Sequence, residues 1–95
     1  MGNKNKSTTK EVPGKQSDTG KGNLRFLVLH NDDYHTFEYV INCLMDICGH
    51  DVVQAEQCTH LVHFKGSCDI LKGGYKKLLP YRKAMAAKDL KVTID

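Results

Sequence analysis

From Leu24 onward the hydrophobic positions fall into short blocks of different period, and each block predicts one element. Leu24-Arg25-Phe26-Leu27-Val28-Leu29 is an apolar run with branched and aromatic content, too short for a helix and stopped by polar residues. It reads as a strand buried on both faces. Asn31-Asp32-Asp33 follows, a cluster whose side chains hydrogen-bond nearby backbone and so favour a turn. Phe37, Val40, Leu44, Ile47 and Cys48 then recur at spacings of three and four, one face of a helix over about Thr36–Cys48 that Gly49 closes. Asp51 offers the next N-cap with Gln54 three residues on, an approximate capping box, and Ala55, Thr59, Val62 and His63 share a face until Gly66. The second helix is therefore about Val52–Lys65. Ser67–Leu71 reads as a strand broken by Gly73-Gly74. Tyr75–Lys88 is helical in pattern, with Pro80 either in a first turn or making a kink. Leu90, Val92 and Ile94 alternate with Lys91 and Thr93, a last strand with one buried face.

The order is β-α-α-β-α-β, so the predicted fold is a small α/β (α+β) domain: a three-stranded antiparallel sheet covered by helices on one face. The pattern begins only at Leu24. Residues 1–23 carry Met1 and Val12 as their only hydrophobic residues, a composition that cannot build a core and predicts a disordered N-terminal tail. The domain is then 24–95, small enough to hold one compact two-layer core and no large enclosed active site.

Charge separates the two parts further. Of the 14 basic and 11 acidic residues, the first 23 positions take five and two, leaving nine of each in the domain. The formal charge of +3 thus belongs to the tail, and a neutral domain argues against a nucleic-acid partner. No apolar run approaches the roughly 18–20 residues that cross a bilayer, and no hydrophobic signal segment follows the first lysines. The expectation is a cytoplasmic protein without a membrane partner, whose four cysteines are small core residues rather than disulfides.

The middle of the chain crowds Cys43, Cys48, His50, Cys58, His60, His63 and Cys68, which raises the question of zinc. Structural zinc sites present paired ligands two to four residues apart on knuckles and turns, whereas Cys43 and Cys48 lie five apart on a helix and Cys58 lies inside another. No metal and no cofactor is expected. No cysteine sits at a helix N-terminus, where a thiol would be activated, and Gly73-Gly74 lacks the other parts of a phosphate loop.

Two remaining features carry the functional reading. Alone, Asn31-Asp32-Asp33 ends a strand and His63 complements the negative end of its helix. Together, Leu27-Val-Leu-His-Asn-Asp-Asp-Tyr34, the helix start Phe37-Glu38-Tyr39-Val40 and the downstream Val62-His63 before Gly66 resemble the ClpS family, adaptors that deliver N-degron substrates to a Clp AAA+ protease. The resemblance covers about Leu24–Asp95. It implies a non-enzymatic module that binds proteins whose first residue is Phe, Tyr, Trp or Leu and hands them to a ClpA- or ClpC-type unfoldase. It implies further that Asn31, Asp32 and His63 surround the substrate's free α-amino group, and that Phe37, Thr59, Val62 and Leu90 form an apolar pocket for its side chain. An ammonium has three N–H donors and calls for converging acceptors, which an amide oxygen, a carboxylate and a neutral imidazole supply.

The chain departs from the family pattern at His35-Thr36-Phe37, where Thr-Pro-Met is common, and at Thr59, where the family has a second methionine. His35 stands where a threonine would cap the first helix and line the site, and Thr36 takes over the capping by a one-residue slip. The third helix is basic through Lys76, Lys77, Arg82 and Lys83, in a region that docks on the unfoldase in the family. Three alternatives stand beside this reading: a degenerate relative without ligand binding, a domain like the C-terminal domain of the large ribosomal stalk protein, and a small Cys/His hydrolase.

Overall fold

The computed structural model describes residues 24–95. Strand β1 (Arg25–His30) is followed by α1 (Phe37–Cys48), α2 (Val52–Lys65), β2 (Ser67–Gly73), α3 (Tyr75–Ala87) and β3 (Val92–Ile94). The tail expected over 1–23 lies outside the described residues. β1 is central, paired antiparallel with β2 on one side and β3 on the other. Leu27 and Leu29 point from β1 into a core built with Val40, Cys43 and Leu44 of α1, Ala55 and Val62 of α2, Ile70 of β2, Leu78 and Met85 of α3, and Leu90 and Val92. The helices thus cover one face of the sheet. The expectation that the first run is buried on both faces is corrected: Phe26 is 36% and Leu24 62% exposed, and of the residues facing away from the helices only Val28 is buried, by its strand neighbours. A central strand buries its middle even where, among the described residues, no second layer covers it.

Local chemistry sets the helix limits. Thr36 is the N-cap of α1, its Oγ1 accepting from the Tyr39 amide at 3.1 Å, so the cap falls one residue later than His35. Asp51 and Gln54 form both halves of a capping box on α2. Gly49 and Gly66 end α1 and α2 at φ of 74° and 96°, left-handed conformations that cost a residue with a Cβ. Pro80 is the sixth residue of α3, beyond the first turn, and the helix runs through it at an exposed position. β2 continues two residues past the predicted Leu71 because Lys72 and Gly73 pair with Phe26 and Arg25, and Ile70 is a bulge: Leu27 pairs with Leu71 while Val28 pairs with Asp69, and both Ile70 and Leu71 pack on the core. Leu90 is buried just before β3 rather than within it.

Candidate functional site

A cavity of about 330 Å³ opens where the end of β1, the start of α1 and the last turns of α2 converge. It is lined by all eight residues singled out from the sequence: Asn31, Asp32, His35, Phe37, Thr59, Val62, His63 and Leu90. Its position follows from the chain path. β1 delivers the Asn31-Asp32-Asp33 turn to the sheet's end, and the Asn31 amide donates to the Gly66 carbonyl at 2.9 Å, holding that turn beside the C-terminus of α2. Val62 and Thr59, one turn apart on α2 and nearly fully buried, form the floor; Leu90 closes it from the approach to β3. The Thr59 hydroxyl donates to the Ala55 carbonyl at 2.7 Å, so its polar group is satisfied along the helix.

The polar end is organised around Asp32. Its Oδ1 accepts from the amides of Tyr34 and His35, both at 2.8 Å, an Asx-type turn. Its Oδ2 lies 2.9 Å from His35 Nδ1. Partial burial works against the Asp32 charge, but the His35 amide, the His35 ring and the Tyr34 amide outweigh it and hold the carboxyl below its ordinary 3.8. An ionised carboxylate only accepts, so His35 Nδ1 is the donor, and in the neutral ring Nε2 is left as an acceptor. Tyr39 stacks on this ring at 4.7 Å and Tyr34 meets it edge-on at 5.0 Å. Tyr39 in turn donates its hydroxyl to the Lys88 carbonyl at 2.8 Å, tying the rings around His35 to the end of α3. The His35 side chain is 8% exposed and that of Asp32 27%. Asp32 therefore spends most of its acceptor capacity on the turn, and one lone pair of Oδ2 remains.

Phe37 and His63 frame the mouth. The Phe37 ring meets the edges of His60 and His63 at 5.0 and 5.1 Å, and Phe64 stacks on His60 and meets His63 edge-on. His63 is exposed, unlike Ala55, Thr59 and Val62 with which its spacing groups it, because it lies at the border of that face. Among the described residues its ring nitrogens have no hydrogen-bond partner, in contrast to His30, held by Thr93, and His35. Sequence reasoning misses Val40 in the wall and the ring contacts that His60 and Phe64 make with Phe37 and His63. Val40 follows Phe37 by one helical turn, and His60 and Phe64 flank His63 at positions three before and one after, signals that only a known neighbour makes informative.

The cysteines and histidines do not converge: among the described residues no three His, Cys, Asp or Glu side chains come together as a metal site. None of the described helices is long and apolar enough to cross a membrane.

The profile described as ATP-dependent Clp protease adaptor protein ClpS matches residues 23–93. The structure of Agrobacterium tumefaciens ClpS2 bound to L-phenylalaninamide superposes with a TM-score of 0.70 at 20% identity, over 76% of this chain and 94% of that one. No curated protein matches the sequence.

Proposed function

The chain belongs to the ClpS family of Clp protease adaptors, and from that premise we propose that its cavity binds the first residue of proteins bearing a bulky hydrophobic N-terminus, for delivery to a Clp AAA+ unfoldase of the ClpA or ClpC type. The observation that carries the reading is the polarity of the cavity. Its lining combines acceptors on Asn31, Asp32 and His63 with the apolar groups of Phe37, Val40, Thr59, Val62 and Leu90. A protein N-terminus has the same two parts, an ammonium and a side chain separated by one carbon. A volume of about 330 Å³ is at the small end of ligand sites, which run roughly 300–1,000 Å³, and suits one aromatic or leucine side chain rather than a longer segment. The phenylalaninamide in the ClpS2 structure is a ligand of that class, in a protein with the same fold.

The residues divide the work. The ammonium donates to the Asn31 amide oxygen, to the free lone pair of Asp32 Oδ2 directly or through water, and to a neutral His63 nitrogen. His35 holds the Asp32 carboxylate in place and ionised. An internal peptide bond has neither the charge nor the donors, so it leaves these acceptors unpaired, which is the basis for discriminating a free N-terminus. Nothing in this scheme breaks a bond in the substrate; the protein is a binding module. Titrating the full chain with peptides that differ only in their first residue tests the reading. Phe, Tyr, Trp and Leu are expected to bind at least tenfold tighter, ~1.4 kcal/mol, than Gly or Ser. Equal weak binding across the panel would make the chain a relative that keeps the fold without the ligand.

A further inference from the structure

We propose that Cys58 and Cys68 are a modification site, a dithiol that a small-molecule disulfide such as oxidised glutathione converts to an intramolecular disulfide fastening α2 to β2. The two sulfurs are 3.0 Å apart, although the residues belong to different elements joined through the tight turn at Gly66. A disulfide needs roughly 2.05 Å, so a shift of about 1 Å suffices. Each element is held in place independently of the pair, α2 by its capping box and by Ala55, Thr59 and Val62 in the core, β2 by its ladder to β1. The sulfurs are therefore brought together by the fold, and both side chains are only half-buried, within reach of a small oxidant. Cys43 is fully buried and Cys48 has no sulfur within hydrogen-bond distance, so selectivity among the four thiols is built in.

The exchange balances in two steps. The Cys58 sulfur, as thiolate, attacks oxidised glutathione, forms a mixed disulfide and releases one glutathione thiolate. The Cys68 sulfur then attacks Cys58 Sγ and releases the second. Two electrons pass to glutathione, and the two thiol protons end on the two glutathione molecules. Burial, the contact with Cys58 and the nearby Asp69 push the Cys68 thiol up to about 12, so the second step is slow at neutral pH and accelerates as the pH rises. The bond would sit behind the cavity. Cys58 precedes Thr59 in its floor, and Cys68 pairs across the sheet with Leu29 in its wall.

The test treats the full chain with excess oxidised glutathione at neutral and alkaline pH, alkylates the remaining thiols and maps the proteolytic fragments. Two of the four thiols should be lost, the fragments bearing Cys58 and Cys68 should be joined, and dithiothreitol should restore all four. The oxidised chain should melt several degrees higher, because the cross-link restricts the unfolded chain. Cys58→Ser and Cys68→Ser, checked for native circular dichroism, should each yield no internal cross-link. Four free thiols after alkaline oxidation, a bond involving Cys43 or Cys48, or a glutathione adduct that never resolves would each overturn the proposal, and these are read on the unmodified chain whatever the variants do.

Discussion

The amide of Asn31 donates to the carbonyl of Gly66 at 2.9 Å, one residue beyond the last strand pair, His30 with Ser67. This bond carries the sheet ladder past the end of β1 into the turn that bears Asp32, and sets that turn against the end of the helix that bears His63. Residues more than thirty positions apart thereby face one cavity. The link depends on Gly66 at φ 96°, a conformation that costs a residue with a Cβ roughly 1–2 kcal/mol.

Gly66→Ala is therefore expected to lose roughly 1–2 kcal/mol in urea unfolding and to weaken binding of a Phe-initiated peptide several-fold. Gly49→Ala, at φ 74° and at the end of α1 away from the cavity, should lose similar stability with affinity unchanged. Equal effects of both on affinity would remove the special role of the Asn31 to Gly66 link.

Asp32→Ala removes the acceptor for two amides and the His35 ring, and should cost ~1–2 kcal/mol at neutral pH. The sign with pH follows from the lowered pKa. The folded protein binds the Asp32 proton less readily than the unfolded chain does, so the contribution is complete above the ordinary 3.8 and is lost as pH falls through the depressed folded value. The stability gap between wild type and Asp32→Ala, measured by denaturant titration, should be constant above about 3.8 and narrow as the pH falls below it. A gap that widens on acidification would contradict the ionised turn.

Much of this architecture is legible in the sequence because local chemistry and core pattern agree. The capping box at Asp51, the slip of the first cap to Thr36 and the glycine stops are each readable from a few residues. What is not legible depends on partners distant in sequence. The run from Leu24 cannot show that one sheet face is open, since a hydrophobic strand looks the same with or without a covering layer. The bulge at Ile70 appears only in the register with β1. The role of Asp32 is divided between turn and cavity because an acidic side chain suits either, and only the two amides on Oδ1 reveal how its lone pairs are spent. α2 reads weakly as an amphipathic helix because Val53, Leu61 and Phe64 are exposed on its outer side, which leaves His60 and Phe64 unremarkable until Phe37 is seen between the histidines.

Thr59 tests the shape of the apolar end. Its hydroxyl is already occupied by the Ala55 carbonyl, so Thr59→Val should change peptide affinity by under about 1 kcal/mol. Thr59→Met adds volume to the floor. It should reduce affinity for Trp- and Phe-initiated peptides about tenfold, ~1.4 kcal/mol, and affect Leu-initiated peptides less, as read by fluorescence anisotropy. Uniform loss across the three peptides would place Thr59 outside the side-chain pocket.

In the proposed scheme His63 accepts from the ammonium only while its ring is neutral. Affinity for a Phe-initiated peptide should therefore fall on acidification. His63→Gln keeps an acceptor and should bind with most of this dependence removed, whereas His63→Ala should lose ~1.5–3 kcal/mol at neutral pH. His35 lines the same cavity, so His35→Asn serves as the control. An acid dependence carried entirely by His35 would return His63 to a helix-end residue.

The central claim is that the polar end of the cavity reads a free α-amino group. The most direct measurement is a paired calorimetric titration of the full chain with one Phe-initiated peptide and its N-acetylated form, identical in every other atom. Acetylation removes the charge and two of the three donors while leaving the aromatic side chain intact, so the acetylated peptide should bind at least ten- to a hundredfold more weakly, roughly 1.4–2.7 kcal/mol. Equal affinity for the two peptides would contradict the assignment of Asn31, Asp32 and His63 to the amino group, whatever the apolar pocket accepts.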